Sequence, residues 1–469
     1  MADPLWTSKD IAAATGGVEA GGFAATGVSI DTRSLEPGDL FVALAGARDG
    51  HEFVAQAMAG GAAGALVSRD VDAPAVKVAG DVLVALEKLG VAARERAPQA
   101  RRGAVTGSVG KTSVTQAVMA GLSLAGPAHS SVKSYNNHIG VPLTLARMPA
   151  ATRRAVFEIG MNHAEEIRPL SKLVRPHAAL VTTVGPVHTE NFPDGEAGVA
   201  RAKAEVFEGL EPGGVAVLNA DNRWFDLLAA AARDAGAVVR TFGRAEHCDA
   251  RLIDFQVPGS HAVVQARFDG TAMDFPILQT GLHWGLNAMA VLLMLQALDV
   301  DLDKSLAALG AFEPLAGRGA EKTVAVSGGA FTLIDESYNA NPISMASAIA
   351  TLGARAAPGR RIVALTDMLE LGPQQAEFHA RLAEPLASAS IDLVFCAGPL
   401  MKSLWDALPP TRRGGYAETA AELAPRVAEA VRAGDVVMVK GSNGSKAGQV
   451  AQALAALGDP SSARPGETR

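Results

Sequence analysis

The chain has 469 residues, too many for one ordinary hydrophobic core, and this length predicts two to four domains. Its formal net charge of −7 and the lack of a basic stripe argue against a nucleic-acid partner. Cys248 and Cys396 lie far apart in the sequence, which fits a reducing compartment and offers no metal-ligand spacing. The N-terminus shows no signal-peptide pattern and no apolar run is long enough to span a bilayer, so we expect a cytoplasmic protein.

The predicted secondary structure is α/β and falls into three segments, each taken as a domain. Residues 1–84 carry short strands around a turn at residues 36–39, then a helix and another strand, which predicts a small N-terminal α/β domain. Residues 85–313 and 314–469 alternate apolar runs with helices, as mostly parallel sheets do. We expect a central domain with a mostly parallel sheet and a Rossmann-like C-terminal domain. The main predicted strands are residues 103–105, 155–159, 178–184, 215–218, 331–334, 362–365, 393–397 and 436–439.

One glycine-rich segment predicts a phosphate-binding loop. A strand, a turn and a helix start surround a phosphate with backbone N–H groups and the positive end of a helix dipole. In such a loop the lysine reaches the outer phosphates and the hydroxyl after it binds magnesium. Val105 stands where the usual motif has its first glycine, and the alternative is a turn with an accidental Lys-Thr pair. The segment follows Thr106 and consists of Gly107, Ser108, Val109, Gly110, Lys111, Thr112 and Ser113.

Polar residues follow two central strands, at the edge where ligands gather in open α/β sheets. Glu158 lies at the end of one strand, where a carboxylate can hold magnesium beside Thr112 because hard cations prefer oxygen ligands. The alternative is a solvated or core-edge glutamate. His188 follows another strand on a Gly-Pro turn, which suits a metal or phosphate contact, and it is otherwise a surface histidine.

The second half of the chain adds further candidates. Asn287 begins a long apolar helix, where its amide either pairs with an adenine edge or caps the helix. Glu336 precedes the turn SYNANP at residues 337–342, whose amides and hydroxyls either bind a ligand or serve turn chemistry. Asp367 ends another strand, and Lys440 opens a second glycine-rich turn that is a weak anion-site signal.

The order of these motifs closely resembles the Mur ligases of peptidoglycan synthesis over essentially the whole chain. Each motif alone is weak evidence, whereas their shared order is highly specific. Within the family, SYNANP favours the member that adds a dipeptide over the one that adds the third peptide residue. The matching stretches are SIDTR at 29–33, LFVAL at 40–44, the loop at 106–112, NNHIGVP at 136–142, EIGMNH at 158–163, AKAEVF at 202–207, LNADN at 218–222, SYNANP at 337–342, DMLELG at 367–372 and VKGS at 439–442.

The resemblance implies an ATP-dependent ligase that joins D-alanyl-D-alanine to UDP-N-acetylmuramoyl-tripeptide through an acyl phosphate. Residues 107–113 would cradle ATP, with Asn287 on adenine, Glu336 on the ribose and Arg318 on the triphosphate. Two magnesium ions are implied, one on Thr112 and Glu158 and one on His188 and Lys203. A protonated lysine cannot bind a cation, so the implied form of Lys203 is carbamylated; the alternative is an exposed helix lysine. The implied catalytic residues are Lys111, His188 and Lys203.

The resemblance also implies the substrate contacts and a monomer acting on two small molecules. Three residues depart from the family pattern: Glu336 stands where aspartate is usual, Trp284 where asparagine is common, and Val109 where the loop usually has a polar residue. These departures weaken, in that order, the implied ribose contact, a second contact with adenine and a side-chain contact from the loop. The residues implied for the UDP-sugar peptide are Ser29, Arg33, Asp49, His51, Asn136 and Asn137. Those implied near the dipeptide are Tyr338, Asn339, Asn341, Asp367 and Lys440.

Two other interpretations stay open. One is a folylpolyglutamate synthetase-like enzyme or a different step of the same ligase family. The other is a P-loop NTPase regulator, which would hydrolyse ATP independently of any amino acid and would leave His188, Lys203 and the turn at Lys440 unexplained. The third residue of the peptide, diaminopimelate or lysine, is not encoded in any motif that we can read.

Overall fold

A computed structural model describes residues 4–132, 134–187, 189–259, 261–355 and 357–458. In its N-terminal part a sheet has the order β2-β7-β6-β5-β4, in which only the β2–β7 pair is antiparallel. A small antiparallel pair, β1 with β3, lies beside it. The elements are β1 Trp6–Thr7, α1 Ser8–Thr15, β2 Val18–Ala20, β3 Ala24–Ala25, β4 Gly27–Ser29, β5 Asp39–Val42, α2 Val54–Ala59, β6 Gly64–Val67, β7 Ala75–Lys77 and α3 Val82–Glu95.

The helix α3 crosses the predicted boundary between residues 84 and 85. Its buried side chains, among them Leu86 and Leu89, join the N-terminal core. That core also takes up Leu143 and Ala146 from the central part of the chain. The N-terminal and central parts therefore share a packed interface.

The central part forms one large twisted sheet with helices on both faces. Its elements are β8 Arg101–Thr106, α4 Lys111–Leu124, β9 Ala128–Ser130, α5 Gly140–Ala146, β10 Arg154–Glu158, α6 Ile167–Val174, β11 Ala178–Val181, α7 Glu196–Ala204, β12 Val215–Asn219, α8 Phe225–Asp234, β13 Val238–Gly243, β14 Ala250–Gln256, β15 Ala262–Phe268, β16 Thr271–Ile277, α9 Trp284–Ala297 and α10 Leu302–Ala311.

This sheet has the order β16-β15-β14-β13-β12-β11-β8-β10-β9, and its pairs are parallel from β9 to β14. The prediction of a mostly parallel sheet is confirmed. The antiparallel extension through β15 and β16 was not predicted. Its signal is the two-residue loop Asp269-Gly270, in which both residues have positive φ, as a type I′ hairpin requires.

The C-terminal part carries a second sheet of order β17-β18-β22-β19-β20-β21, parallel except for the β17–β18 hairpin. The predicted strand at residues 393–397 has the same bounds in the structure. The elements are β17 Ala320–Val326, β18 Gly329–Glu336, α11 Pro342–Ala354, β19 Arg361–Thr366, α12 Gln375–Ala380, α13 Ala383–Ser388, β20 Leu393–Ala397, α14 Lys402–Ala407, β21 Arg413–Ala417, α15 Ala420–Ala430, β22 Val436–Lys440 and α16 Gly448–Ala456.

Separate apolar clusters fill the two faces of each large sheet. Among the described residues, no helix combines the length and the apolar character needed to cross a membrane. The carboxyl ends of β8, β10, β11 and β12 lie opposite those of β18 and β22, and this placement creates the candidate site.

Candidate nucleotide and substrate site

The loop between β8 and α4 has the backbone that phosphate binding requires. Gly107 and Gly110 have φ of +148° and +84°, a region that residues with a Cβ rarely adopt. A Cβ on Gly107 would also overlap the Thr182 hydroxyl. Gly110 begins α4 without a side-chain cap, so the first backbone N–H groups of this helix face outward. These groups and the helix dipole make the loop an anion site before any ligand arrives.

Neighbouring strand ends hold the loop in place. The Ser108 amide donates to the Thr183 carbonyl at 2.8 Å, and the Ser108 hydroxyl accepts from the Gly185 amide at 3.0 Å. The Thr182 hydroxyl donates to the Val109 carbonyl at 2.6 Å. The side chain of Ser108 therefore fixes the loop, and Val109 takes part through its backbone.

Lys111 lies in the first turn of α4, and its Nζ donates to the Gly107 carbonyl at 2.8 Å. Burial lowers the pKa of Lys111; the negative charge of Glu158 raises it, and the positive charge of Arg318 lowers it further. A bound triphosphate would favour the charged form of this lysine. The residue is thus placed to respond to an anion in the loop.

The carboxylate of Glu158 fits a cation. This side chain is 1% exposed, and its Oε1 accepts a 2.7 Å hydrogen bond from Asn136 Nδ2. Its Oε2 is buried and has no hydrogen-bond partner among the residues that the structure describes. The hydroxyl of Thr112, the other predicted ligand, lies 3.1 Å from both Ser134 Oγ and Arg318 Nη2. A buried carboxylate oxygen without a donor is costly, and a hard cation would satisfy it.

Lys203 is buried on α7, with 3% of its surface exposed, so the alternative of an exposed helix lysine does not hold. Burial, followed by the nearby charge of Lys111, lowers the pKa of Lys203 well below its usual value. This shift favours the neutral amine, the form that can react with carbon dioxide. His188, the other predicted ligand of a second cation, lies outside the described residues.

A cavity of about 560 Å³ separates the central and C-terminal sheets. Most of the predicted nucleotide-side residues line it, together with several residues predicted to lie near the peptide substrates. The predicted residues in its lining are Ser108, Val109, Gly110, Lys111, Thr112, Ser113, Asn136, Glu158, Asn287, Arg318, Glu336, Tyr338, Asn339, Asn341 and Lys440.

Asn287 and Arg318 approach the phosphate loop from two sides. Asn287 lies in the first turn of α9, whose N-cap is His283, so it does not cap the helix. It faces Gly110, where a Cβ would lie 3.6 Å from the Asn287 amide oxygen. The Arg318 guanidinium stacks on the Tyr338 ring at 3.9 Å while donating to Thr112. This cation–π stack orients a charge toward the loop.

The C-terminal wall of the cavity is braced by its own polar residues. Lys440 Nζ, 3% exposed, donates to Glu336 Oε2 at 3.2 Å and to the Asn339 carbonyl at 3.0 Å. Asn341 forms a capping box with Ser344 at the start of α11. These bonds hold the SYNANP turn in shape.

Asp367 does not line the cavity. Its Oδ1 accepts the Met401 amide at 2.8 Å, and this bond ties the end of β19 to the turn before α14. Burial raises the pKa of this carboxyl, and the backbone bonds from Met401 and Leu400 lower it in part. Asp367 therefore has a clear structural task in the C-terminal sheet.

The predicted UDP-sugar residues of the N-terminal part also lie away from this cavity and pair with near neighbours. Ser29 is fully buried, and its hydroxyl donates to the Asp31 carbonyl at 3.1 Å. Arg33 pairs with Asp31 and is 86% exposed along its side chain. In the central part, the Asn137 side chain accepts from Gly140 N at 2.9 Å, just before α5.

His51 and Asp49 form a small local network. The Asp49 carboxylate accepts from the His51 backbone at 3.0 Å and contacts His51 Nδ1 at 2.6 Å. His51 Nε2 accepts the Ser68 amide at 2.9 Å, so the neutral ring with its proton on Nδ1 satisfies both bonds. The backbone bond from His51 is the main reason that the pKa of Asp49 is lowered.

Several cavity residues escaped the sequence analysis. Asn219 comes directly after the predicted strand 215–218, so the strand-end rule applied to every strand would have found it. Thr182 and Thr183 were missed because the predicted strand 178–184 includes them, whereas β11 ends at Val181. Ser134 and Ser347 follow no such rule, because only the packing of distant segments brings them to the cavity.

Family models match three successive parts of the chain. The description "Mur ligase family, catalytic domain" covers residues 24–99, "Mur ligase middle domain" covers 105–295, and "Mur ligase, glutamate ligase domain" covers 322–443. Together they follow the order of the three larger sheets. The chain belongs to the Mur ligase family.

Among curated relatives, the UDP-N-acetylmuramoyl-tripeptide–D-alanyl-D-alanine ligase of Escherichia coli K12 is 37% identical over 79% of this chain and 81% of its own length. Among solved structures, MurF from Acinetobacter baumannii aligns with a TM-score of 0.84 at 28% identity, covering 96% of this chain and 98% of that one. MurF from Thermotoga maritima in complex with ADP aligns with a TM-score of 0.75, covering 92% of this chain and 97% of that one. Its 22% identity makes that likeness one of fold.

Proposed function

We propose that this chain is an ATP-dependent ligase that adds D-alanyl-D-alanine to UDP-N-acetylmuramoyl-tripeptide, giving the pentapeptide precursor of peptidoglycan. The observation that carries the proposal is one cavity in which a preformed phosphate loop, Lys111 and Glu158 face the SYNANP turn of the other sheet. The name of the Escherichia coli relative, which matches most of this chain, supports the substrate pair.

The reaction requires activation of a carboxylate. The terminal carboxylate of the tripeptide attacks the γ-phosphate of ATP, the bond to ADP breaks, and an acyl phosphate forms. The amine of D-alanyl-D-alanine then attacks the acyl carbon, loses a proton, and orthophosphate leaves as the amide forms. Two anions meet in the first step, so positive groups aimed at the transferred phosphoryl group govern its rate.

Residues of the phosphate loop and its surroundings supply that positive field. Backbone N–H groups at the start of α4 hold phosphate oxygens, and Lys111 would turn from the Gly107 carbonyl to the outer phosphates. Arg318 lies beside Thr112 and can reach the same phosphates. Asn287 would bind the adenine and Glu336 the ribose; both residues line the cavity.

Thr112 and Glu158 would hold a magnesium ion that neutralises phosphate charge when bound. A second ion would lie on His188 and on a carbamylated Lys203, whose burial and lowered pKa favour that modification.

We also propose a domain organisation that serves the two substrates. Residues 1–84 would bind the UDP-sugar through Ser29, Arg33, Asp49 and His51, residues 85–313 would bind ATP, and residues 314–469 would present the dipeptide. Contacts between Arg318 and Thr112 show that the last two parts already meet at the phosphate loop. Their closure would keep water from the acyl phosphate. We propose that the enzyme acts as a cytoplasmic monomer.

A phosphate-release assay with each substrate omitted in turn tests the function. Release should require ATP, UDP-N-acetylmuramoyl-tripeptide and D-alanyl-D-alanine together, and tripeptides with diaminopimelate or lysine at the third position should be compared. Release with glutamate and a folate instead would favour a folylpolyglutamate synthetase-like enzyme. Hydrolysis independent of any amino acid would indicate an NTPase regulator and contradict the proposal.

A further inference from the structure

A short segment between β9 and α5 contacts both groups proposed to hold the first magnesium ion. Ser134 Oγ lies 3.1 Å from Thr112 Oγ1, and Asn136 Nδ2 lies 2.7 Å from Glu158 Oε1. Thr112 lies in the first turn of α4 and Glu158 ends β10, so one segment bridges two different elements of the central part.

Asn136 is itself firmly held. Its backbone carbonyl accepts the Gly160 amide at 2.8 Å. Its side chain packs so closely on Gly160 that a Cβ there would lie 2.8 Å from Asn136 Cγ. Because a carboxylate only accepts hydrogen bonds, the amide nitrogen of Asn136 fixes Oε1 of Glu158. The other oxygen, Oε2, is left buried without a described partner, as a cation ligand would be.

Ser134 has the complementary task at Thr112. A serine hydroxyl donates one hydrogen bond and accepts others. Ser134 Oγ can therefore accept the Thr112 proton and donate its own proton to Tyr338 Oη, which lies 3.1 Å away. Arg318 Nη2 also donates to Thr112 Oγ1 at 3.1 Å, so with its proton directed to Ser134 the hydroxyl would keep one lone pair for the cation. Through Tyr338, the C-terminal part of the protein joins the same series of hydrogen-bonded hydroxyl groups.

We propose that Ser134 and Asn136 are positioning residues for the magnesium ion of the nucleotide site. They act through Thr112 and Glu158 and do not touch the metal. This assigns Asn136 a role different from the UDP-sugar contact that the family resemblance implies. The inference rests on one part of the proposed function, the binding of magnesium and a nucleotide at this loop.

The test is a magnesium titration of the full chain with a fluorescent, non-hydrolysable ATP analogue, which needs no turnover. Asn136→Ala and Ser134→Ala should each raise the half-saturating Mg²⁺ concentration, by about 10-fold or more, as lost partners of metal ligands do. Ser134→Thr keeps a hydroxyl and should stay near wild type. Ser123→Ala is the matched control, because the Ser123 hydroxyl donates to the Met119 carbonyl on the exposed side of α4.

The KM for the UDP-sugar peptide separates positioning from substrate binding. A positioning role predicts that Asn136→Ala leaves this KM nearly unchanged at saturating Mg²⁺. An unchanged magnesium titration together with a raised KM would overturn the inference and return Asn136 to the substrate. Ser134→Ala gives an independent answer if Asn136→Ala unfolds, as judged by circular dichroism. A shifted titration in an enzyme that fails the substrate-omission assay would refute the proposed substrates and leave this inference standing.

Discussion

The phosphate loop and the N-terminal face differ in what holds their residues. The N-terminal face is formed by the residues proposed to bind the UDP-sugar, namely Ser29, Arg33, Asp49 and His51. At the loop, backbone conformation and burial fix the groups: Gly107 has a positive φ and Glu158 is almost fully buried. At the N-terminal face, side chains pair with near neighbours in the sequence, and Arg33, which pairs with Asp31, is largely exposed. The first region is therefore built before its ligand arrives, whereas the second must exchange local partners for ligand contacts.

This difference determines what each residue contributes. A rigid, buried group aimed at developing charge lowers the barrier of the chemical step. An exposed side chain that must first leave a local partner contributes mainly to binding. Substitutions at the loop should consequently reduce kcat, and substitutions at the N-terminal face should raise KM.

The largest effect is expected at Lys111. Lys111→Ala should lower kcat for phosphate release by about 10²–10³-fold, the usual cost of losing one preorganised positive donor. Circular dichroism should show an intact fold, since the substitution removes the hydrogen bond from Lys111 Nζ to the Gly107 carbonyl and leaves the backbone of the loop unchanged. Lys304→Ala is the control, because Lys304 lies on the surface, where it pairs with Asp301. Turnover close to wild type in Lys111→Ala would dismiss the phosphate-loop assignment.

The next effect in size is expected at Lys203, which the sequence alone leaves as either a metal ligand or an exposed helix lysine. Lys203→Ala should lose most of its activity, because the proposed carbamate would be missing from the second cation. Short carboxylates such as acetate or formate should restore part of the rate, since they can occupy the vacated space as oxygen ligands. Lys172→Ala, an exposed lysine on α6, should show neither the loss nor the rescue. An active Lys203→Ala enzyme would count against any metal role.

The smallest effect is expected at Arg33. Arg33→Ala should raise the KM for the UDP-sugar peptide by about 10-fold, the lower end for a lost charged hydrogen bond, while kcat stays unchanged. The free energy of unfolding should stay close to that of wild type because the Arg33 side chain is exposed and its ion pair with Asp31 is screened by solvent. Initial-rate kinetics and a urea titration measure both quantities. A fall in kcat at unchanged KM would break the distinction between the two regions.

The sequence predicted the features that depend on local pattern. Apolar runs marked the strands, including β20 with its bounds, and the glycine pattern marked the phosphate loop. It missed the β14–β16 extension, although the Asp269-Gly270 turn signals a hairpin there. This antiparallel extension could therefore have been predicted from its local turn signal.

Other features have no local signal. The contact of Ser134 with Tyr338 joins residues about two hundred positions apart, and only the meeting of the two sheets creates it. Asp367 looks like a ligand residue in sequence because it ends a strand, yet its carboxylate holds the Met401 amide inside the C-terminal sheet. Strand-end position alone does not reveal whether a side chain turns to the cavity or to its own fold.

Transfer of an oxygen atom tests the central claim most directly. UDP-N-acetylmuramoyl-tripeptide labelled with ¹⁸O in its terminal carboxylate should be turned over with ATP and D-alanyl-D-alanine, and the released orthophosphate analysed by mass spectrometry. Formation of an acyl phosphate predicts one labelled oxygen in each orthophosphate. Orthophosphate without label, released alongside the new amide, would contradict the account.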